Sequence, residues 1–256
     1  MNAPATQIPA PERPSRLTAL MEAGMALSLA AAIGSLFLFG WIANEMREGD
    51  TLKFDLAVRG WVHQFASAGM TRAMNWISLL GYDVLIVELI AALGIFLFLR
   101  WRKAAAWLAI SMAGALALDL ALKYAFHRPR PQPFFGTAPH SFSFPSGHAL
   151  CSFVFYAVVA GLIAARTRSL LLRVAVGVMA AVLVAAIGLS RIYLGVHYPS
   201  DVVAGYLAAA VWVATLLALD RWRGNRRQLA DRRQQRCGWA TTNRFVHFPC
   251  KELAVR

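Results

Sequence analysis

The stretch AGMALSLAAAIGSLFLFGWIA, residues 23–43, carries no charge and is long enough to cross the roughly 30 Å of a bilayer's hydrocarbon as an α-helix. Working outward from it, five further apolar runs follow at residues 77–99, 104–122, 146–165, 170–189 and 202–219. They predict an all-α fold, a bundle of six transmembrane helices. Composition agrees: of 256 residues 58% are hydrophobic and 15% charged, with a mean hydropathy of +0.51. Ordinary globular domains carry about 25% charged residues, so a disordered chain is excluded and a soluble domain disfavoured. Asp83, Glu88, Asp119 and Arg173 interrupt the apolar runs, as expected where the inner faces of a bundle hold polar groups. No internal repeat is visible. Three segments result: a Pro-rich, flexible cytoplasmic leader at 1–22, the membrane domain at 23–219, and a basic, disordered cytoplasmic tail at 220–256.

The connectors orient the bundle. Arg100, Arg102 and Lys103 precede the third run, and Arg166, Arg168 and Arg173 lie at the junction of the fourth and fifth, with no acid among them. Such connectors stay cytoplasmic. Arg13 and Arg16 before the first run, and Arg221, Arg223, Arg226 and Arg227 after the last, place both termini on that side. The excess of 26 Lys and Arg over 13 Asp and Glu therefore marks membrane topology and anionic lipid, not nucleic acid. The first outer connector is balanced, Arg47, Lys53, Arg59 and Arg72 against Glu45, Glu48, Asp50 and Asp55. Phe54, Val58, Trp61, Val62 and Phe65 within it recur at helical spacing, which reads as a short amphipathic interfacial helix or as a loop with scattered apolar residues. Cys151, Cys237 and Cys250 form no even framework and read as free thiols, with no zinc site.

Three polar clusters fall on the outer side, where cations are normally sparse. Lys123, His127, Arg128 and Arg130 leave the third helix at Pro129 and Pro131, and the three cations are expected to face one point. Pro145-Ser146-Gly147-His148 opens the fourth helix, where free N–H groups and the helix dipole favour an anion. Ser190-Arg191 is followed by His197 and, one helical turn later, Asp201, a spacing that lets the carboxylate orient the imidazole. Two histidines, a carboxylate, several cations and a helix N-terminus on one face suit a phosphoryl group. Guanidinium and ammonium groups neutralise its oxygens without a metal, while one histidine attacks and the other protonates the departing oxygen. Asp119 lies one turn inside Lys123 and predicts a structural ion pair. Glu88 has no partner legible in the sequence.

These spacings resemble the three-part pattern of the type 2 phosphatidic acid phosphatase superfamily, K-x6-RP, PSGH and SR-x5-H-x3-D. Lys123, Arg130 and Pro131 match the first part, Pro145 to His148 the second, and Ser190, Arg191, His197 and Asp201 the third. The resemblance implies His197 as a nucleophile that forms a phosphohistidine, Asp201 as its orienting partner and His148 as general acid. It implies Lys123, Arg130, Ser146, Gly147 and Arg191 as phosphate holders, no cofactor and no metal. Arg128 follows Lys123 too closely for the pattern, so Arg128, Ser190 and Asp119 are accessory candidates.

The implied activity is that of an integral-membrane lipid phosphatase with a periplasmic or extracellular active site. Its partner is a lipid phosphate held in the bilayer, undecaprenyl diphosphate first, then phosphatidic acid or phosphatidylglycerol phosphate, with Phe134 and Phe135 as lip residues. A phosphotransferase using the same phosphohistidine, a vanadate-dependent haloperoxidase, and a non-catalytic scaffold or transporter are the other classes. Six spans argue against the haloperoxidase. Nothing in the chain sets its oligomeric state.

Overall fold

A computed structural model describes residues 16–137 and 140–242, so most of the expected leader and the end of the tail lie outside the described residues. Among the described residues the regular structure is entirely helical. The helices are α1 (Arg16–Glu48), α2 (Thr51–His63), α3 (Ala68–Leu79), α4 (Asp83–Phe98), α5 (Arg102–Phe126), α6 (Gly147–Ala164), α7 (Leu170–Tyr193) and α8 (Pro199–Thr242). Among the described residues, 30–216 form one compact unit, and 16–29 with 217–242 form a second. In the second, Arg221 donates to Gly24 O and Ser28 Oγ. The basic segment expected to lack structure is helical as far as Thr242, because α8 runs on through it.

Among the described residues five helices are long and apolar enough to cross a membrane: α5, α6, α7, the 23–48 part of α1 and the 199–226 part of α8. α3 and α4 pass the same test only when taken together, and they are bent by 43° at the break between them. Here the structure corrects the sequence reading, which expected one continuous span over 77–99. The chain tightens at Leu80, Gly81 and Tyr82, whose N–H groups each bond the carbonyl three residues back. Gly81 sits at the bend because a Cβ there would lie 2.6 Å from Ile187 Cγ2 and 3.0 Å from His148 Cδ2. Apolar content alone does not report such a break, which turns on what packs against Gly81.

The core of the larger unit lies among α5, α6 and α8, where Leu108, Ala115, Leu150, Val154, Ala204 and Ala209 have no exposed surface. Small residues let the backbones approach, which is how helices associate where lipid removes the hydrophobic drive. A Cβ on Gly205 would stand 2.7 Å from Ser146 O, so this close approach holds the start of α6 against α8. By contrast α7 turns Leu171, Val178, Met179 and Val182 outward, as a lipid-facing helix does. The first outer connector is a helix, α2, and Asp55, Arg59 and Val62 are its buried residues. Phe54, Leu56 and Trp61 on the same helix are exposed.

Gly114 on α5 leaves room for the Trp212 ring of α8, which a Cβ would approach to 2.0 Å. Gly114→Leu is expected to cost about 1–3 kcal/mol or more by overpacking, read as a lower thermal unfolding midpoint of the detergent-solubilised protein. An unchanged midpoint would show that the α5–α8 contact is not tight.

Candidate functional site

The site forms where three helix ends meet. α5 stops at His127, which takes a left-handed conformation (φ 49°) and returns its N–H to Lys123 O at 3.1 Å. Pro129 then forbids further helix, and residues 128–146 lead the chain to α6. Ser143 N–H bonds Arg128 O at 2.8 Å, and Ser146 N–H bonds Asp201 O at 2.9 Å, tying this segment to itself and to α8. Gly195 (φ 78°) lies in the turn between α7 and α8; a Cβ on it would lie 2.6 Å from the Phe134 backbone nitrogen.

A cavity of about 560 Å³ opens among these ends. Lys123, Arg130, Gly147, His148, Arg191 and His197 line it, together with Asn75, Ser78, Leu79 and Tyr82 from the bent pair and Phe135 from the connector. Among the described residues no carboxylate lines it. Lys123 Nζ lies 2.7 Å from Asp119 Oδ2, the ion pair its spacing predicts. Arg191 is anchored by a hydrogen bond to Ser78 Oγ. Arg130 donates to Ser141 O at 2.7 Å, Ser141 Oγ at 2.8 Å and Val196 O at 2.9 Å. Burial pulls the Arg130 pKa below its ordinary value, opposed by the charges of Asp201 and Asp119. A cation so held is preorganised for an anion that has yet to arrive.

His197 is almost fully buried, 1% exposed. Its Nε2 lies 2.9 Å from Arg130 Nη1, and since guanidinium only donates, Nε2 is the accepting nitrogen. Its Nδ1 faces Ser143 Oγ at 3.4 Å and Asp201 Oδ2 at 3.5 Å. The tautomer assigned by this network is Nδ1–H, with the Nε2 lone pair toward the cavity. Burial is the largest cause that lowers the His197 pKa, to about 4; Asp201 opposes it, while the charges of Arg130 and Arg191 add to it. The His148 ring stacks on Tyr82, centroids 5.3 Å apart.

The structure brings together most of the expected residues and separates others. Lys123, Arg130, Gly147, His148, Arg191 and His197 share the cavity. Ser146 is wholly buried, its Oγ without a hydrogen-bond partner among the described residues. Arg128 does not join the other cations, as the sequence reading expects. It is buried and turned the other way, toward Asp201 at 2.5 Å and Asp55 at 2.9 Å, because two carboxylates outcompete an already cationic cavity. Ser190 turns back to Ile187 O at 2.6 Å on its own helix. Phe135 lines the cavity, whereas Phe134 stacks on His63 with centroids 4.0 Å apart. Glu88 accepts from Tyr156 Oη at 2.8 Å.

Sequence reasoning missed Asp55, Ser143, Ser200, Ser78 and Tyr82. Only Asp55 left a signal: with Arg59 one turn on, it makes a charged stripe on a helix otherwise read for its apolar face.

Fold and site together define a helical membrane protein that encloses a cationic, oxyanion-type pocket. Residues 104–225 match the PAP2 superfamily. An undecaprenyl-diphosphatase of Sulfolobus acidocaldarius is 35% identical over 126 residues, 47% of this chain and 56% of that protein. Phosphatidylglycerophosphatase B of Bacillus subtilis is 30% identical over 178 residues, 67% of this chain and 86% of that one. The crystal structure of a transmembrane PAP2-type phosphatidylglycerolphosphate phosphatase from Bacillus subtilis has the same fold, with a TM-score of 0.66 at 24% identity, covering 73% of this chain and 93% of that one. The match thus spans little more than half of the first relative and most of the second. The chain belongs to the PAP2 superfamily.

Gly147 makes the floor of the cavity, where a Cβ would stand 2.8 Å from both Asp119 Oδ1 and Lys123 Nζ. Gly147→Ala is expected to displace that ion pair and weaken inorganic phosphate binding about tenfold or more, the loss of one charged hydrogen bond. Calorimetric titration of the purified protein measures it; unchanged affinity would remove Lys123 from the phosphate site.

Proposed function

We propose that this protein is an integral-membrane phosphatase acting on lipid phosphate or diphosphate esters through a phosphohistidine. The observation that carries the reading is the His197 Nε2 lone pair, held beside Arg130 in a cavity that Lys123, Arg130 and Arg191 line, with no carboxylate among the described lining residues. The substrate's tail stays in the bilayer and its phosphoryl group enters the cavity, where Lys123, Arg130 and Arg191 balance the oxygens. Gly147 and the N-terminus of α6 receive the remaining oxygen. Ser146 has a free Oγ just beneath, able to join them on a small shift.

In the first step His197 Nε2 attacks phosphorus, a P–N bond forms, and the P–O bond to the lipid breaks. His148 gives its proton to the departing oxygen. Asp201, which does not line the cavity, stabilises the positive charge that appears on the imidazole through Nδ1–H, a contact of 3.5 Å that tightens as the charge develops. In the second step His148 takes a proton from water, whose oxygen attacks phosphorus; the P–N bond breaks and inorganic phosphate leaves. The cations perform the neutralisation, so chelators leave the rate unchanged. Undecaprenyl diphosphate is the first candidate substrate and phosphatidylglycerol phosphate or phosphatidic acid the next, supported by the names of the relatives. Basic connectors support cytoplasmic termini and a site on the opposite face.

The test is phosphate release by purified protein, with chelator present, from those three lipids. His197→Ala is expected to lose at least about a thousandfold, as removal of a nucleophile does, and His148→Ala about 10²–10⁴-fold. Labelled lipid product without inorganic phosphate would instead indicate phosphotransfer, and neither product would indicate a non-catalytic role. The pH profile is a separate check. His197 attacks when neutral and its pKa is pulled from 6.5 to about 4. After the substrate's own ionisation is divided out, kcat/KM should therefore hold as pH falls through 6.5 and drop near 4. An acid limb remaining near 6.5 would contradict the buried, neutral nucleophile.

A further inference from the structure

Asp55 lies outside all three motif parts, on α2, yet it has no exposed surface. Both its oxygens are committed. Oδ1 accepts from Ser200 N–H at 2.9 Å; Oδ2 accepts from Ser200 Oγ at 2.6 Å and from Arg128 Nη2 at 2.9 Å. Arg128 in turn uses Nη1 to donate to Ser200 Oγ at 2.8 Å and to Asp201 Oδ1 at 2.5 Å, while its face lies 4.1 Å from the Tyr198 ring centroid. The other Asp201 oxygen, Oδ2, accepts from Tyr198 N–H at 2.8 Å and from Ser143 Oγ, and it is the oxygen that faces His197 Nδ1.

One planar guanidinium therefore bridges two buried carboxylates. With one arm on Asp55 and the other on Asp201, its plane cannot rotate, and the Asp201 carboxylate is set by it. Asp55 also offsets the charge of Arg128, which would otherwise stand half-compensated behind the carboxylate that must stabilise a cationic imidazole. Neither Asp55 nor Arg128 lines the cavity, so neither acts on the phosphate.

We propose that Asp55 is a positioning residue: through Arg128 and Ser200 it holds the Asp201 carboxylate in the orientation that faces His197 Nδ1. The inference rests on the reading of His197 as nucleophile. It makes α2, a helix between the first two spans with Phe54, Leu56 and Trp61 exposed on its other side, part of the catalytic apparatus.

The experiment uses the full chain in detergent and whichever of undecaprenyl diphosphate, phosphatidic acid and phosphatidylglycerol phosphate it hydrolyses fastest, with rates taken per folded protein. Asp55→Asn is expected to lower kcat about 10–100-fold by misplacing the supporting carboxylate. KM and the inhibition constant of inorganic phosphate should stay within about threefold, because no phosphate contact is removed. Arg128→Lys keeps the charge but not the fork, and in that background Asp55→Asn should cost no more than about twofold further, since coupled residues are not additive. Should Asp55→Asn fail to fold, Ser200→Ala deletes one Asp55 bond and one Arg128 bond while keeping all three charges and should show a smaller loss of the same kind. Independently of turnover, the downfield Nδ1 proton resonance of His197, assigned with His197→Ala, should move upfield in Asp55→Asn. Unchanged kcat, a loss confined to KM, full additivity with Arg128→Lys, or an unmoved resonance would overturn the inference. An active His197→Ala, by contrast, would overturn the nucleophile reading itself.

Discussion

Two carboxylates without exposed surface, Asp55 and Asp201, share the single guanidinium of Arg128, and much of the bundle's cavity-bearing end follows from keeping that trio satisfied. A buried charge costs several kcal/mol unless it is paired and its remaining lone pairs are bonded. Here the remaining bonds come from Ser143 on the connector and from Tyr198 and Ser200 at the turn into α8. One network therefore fixes the entry to α8, the path of residues 128–146 and the seat of α2. His197 sits at its edge, in contact with Asp201 on one side and open to the cavity on the other.

The cavity itself obeys a separate economy. Positive groups collected on one wall repel one another, so each needs a fixed neighbour: Asp119 for Lys123, Ser78 for Arg191, and main-chain and serine oxygens for Arg130. Lys123 keeps its counter-ion in direct contact, and the head groups that line the cavity stay oriented. That combination suits an anion with several oxygens and explains why the acids of this region are placed behind the walls. The bend between α3 and α4 belongs to the same design. At the break Ser78 and Tyr82 line the cavity, with Gly81 small enough to pass Ile187 and His148.

Comparison of sequence and structure separates two kinds of information. Charge-free runs such as residues 23–43 announced a helical membrane protein because lipid imposes length and apolarity on any helix that crosses it. The three motif parts announced residues that share one cavity because they sit at helix ends, where local spacing governs which side chains can meet. His197 and Asp201, one turn apart, and Asp119 and Lys123, also one turn apart, are pairs of that kind.

What the sequence by itself determined, then, was the solvent, the helices and the local pairs, since each depends on residues close in the chain. The tertiary structure alone decided where Arg128 points, that Asp55 is buried, that Ser143 touches Asp201, and that the second span breaks. Those outcomes depend on residues as distant as Asp55 and Ser200, whose meeting no periodicity encodes. The physical reason is competition: Arg128 had a cationic cavity on one side and two carboxylates on the other, and only the assembled helices put both within its reach.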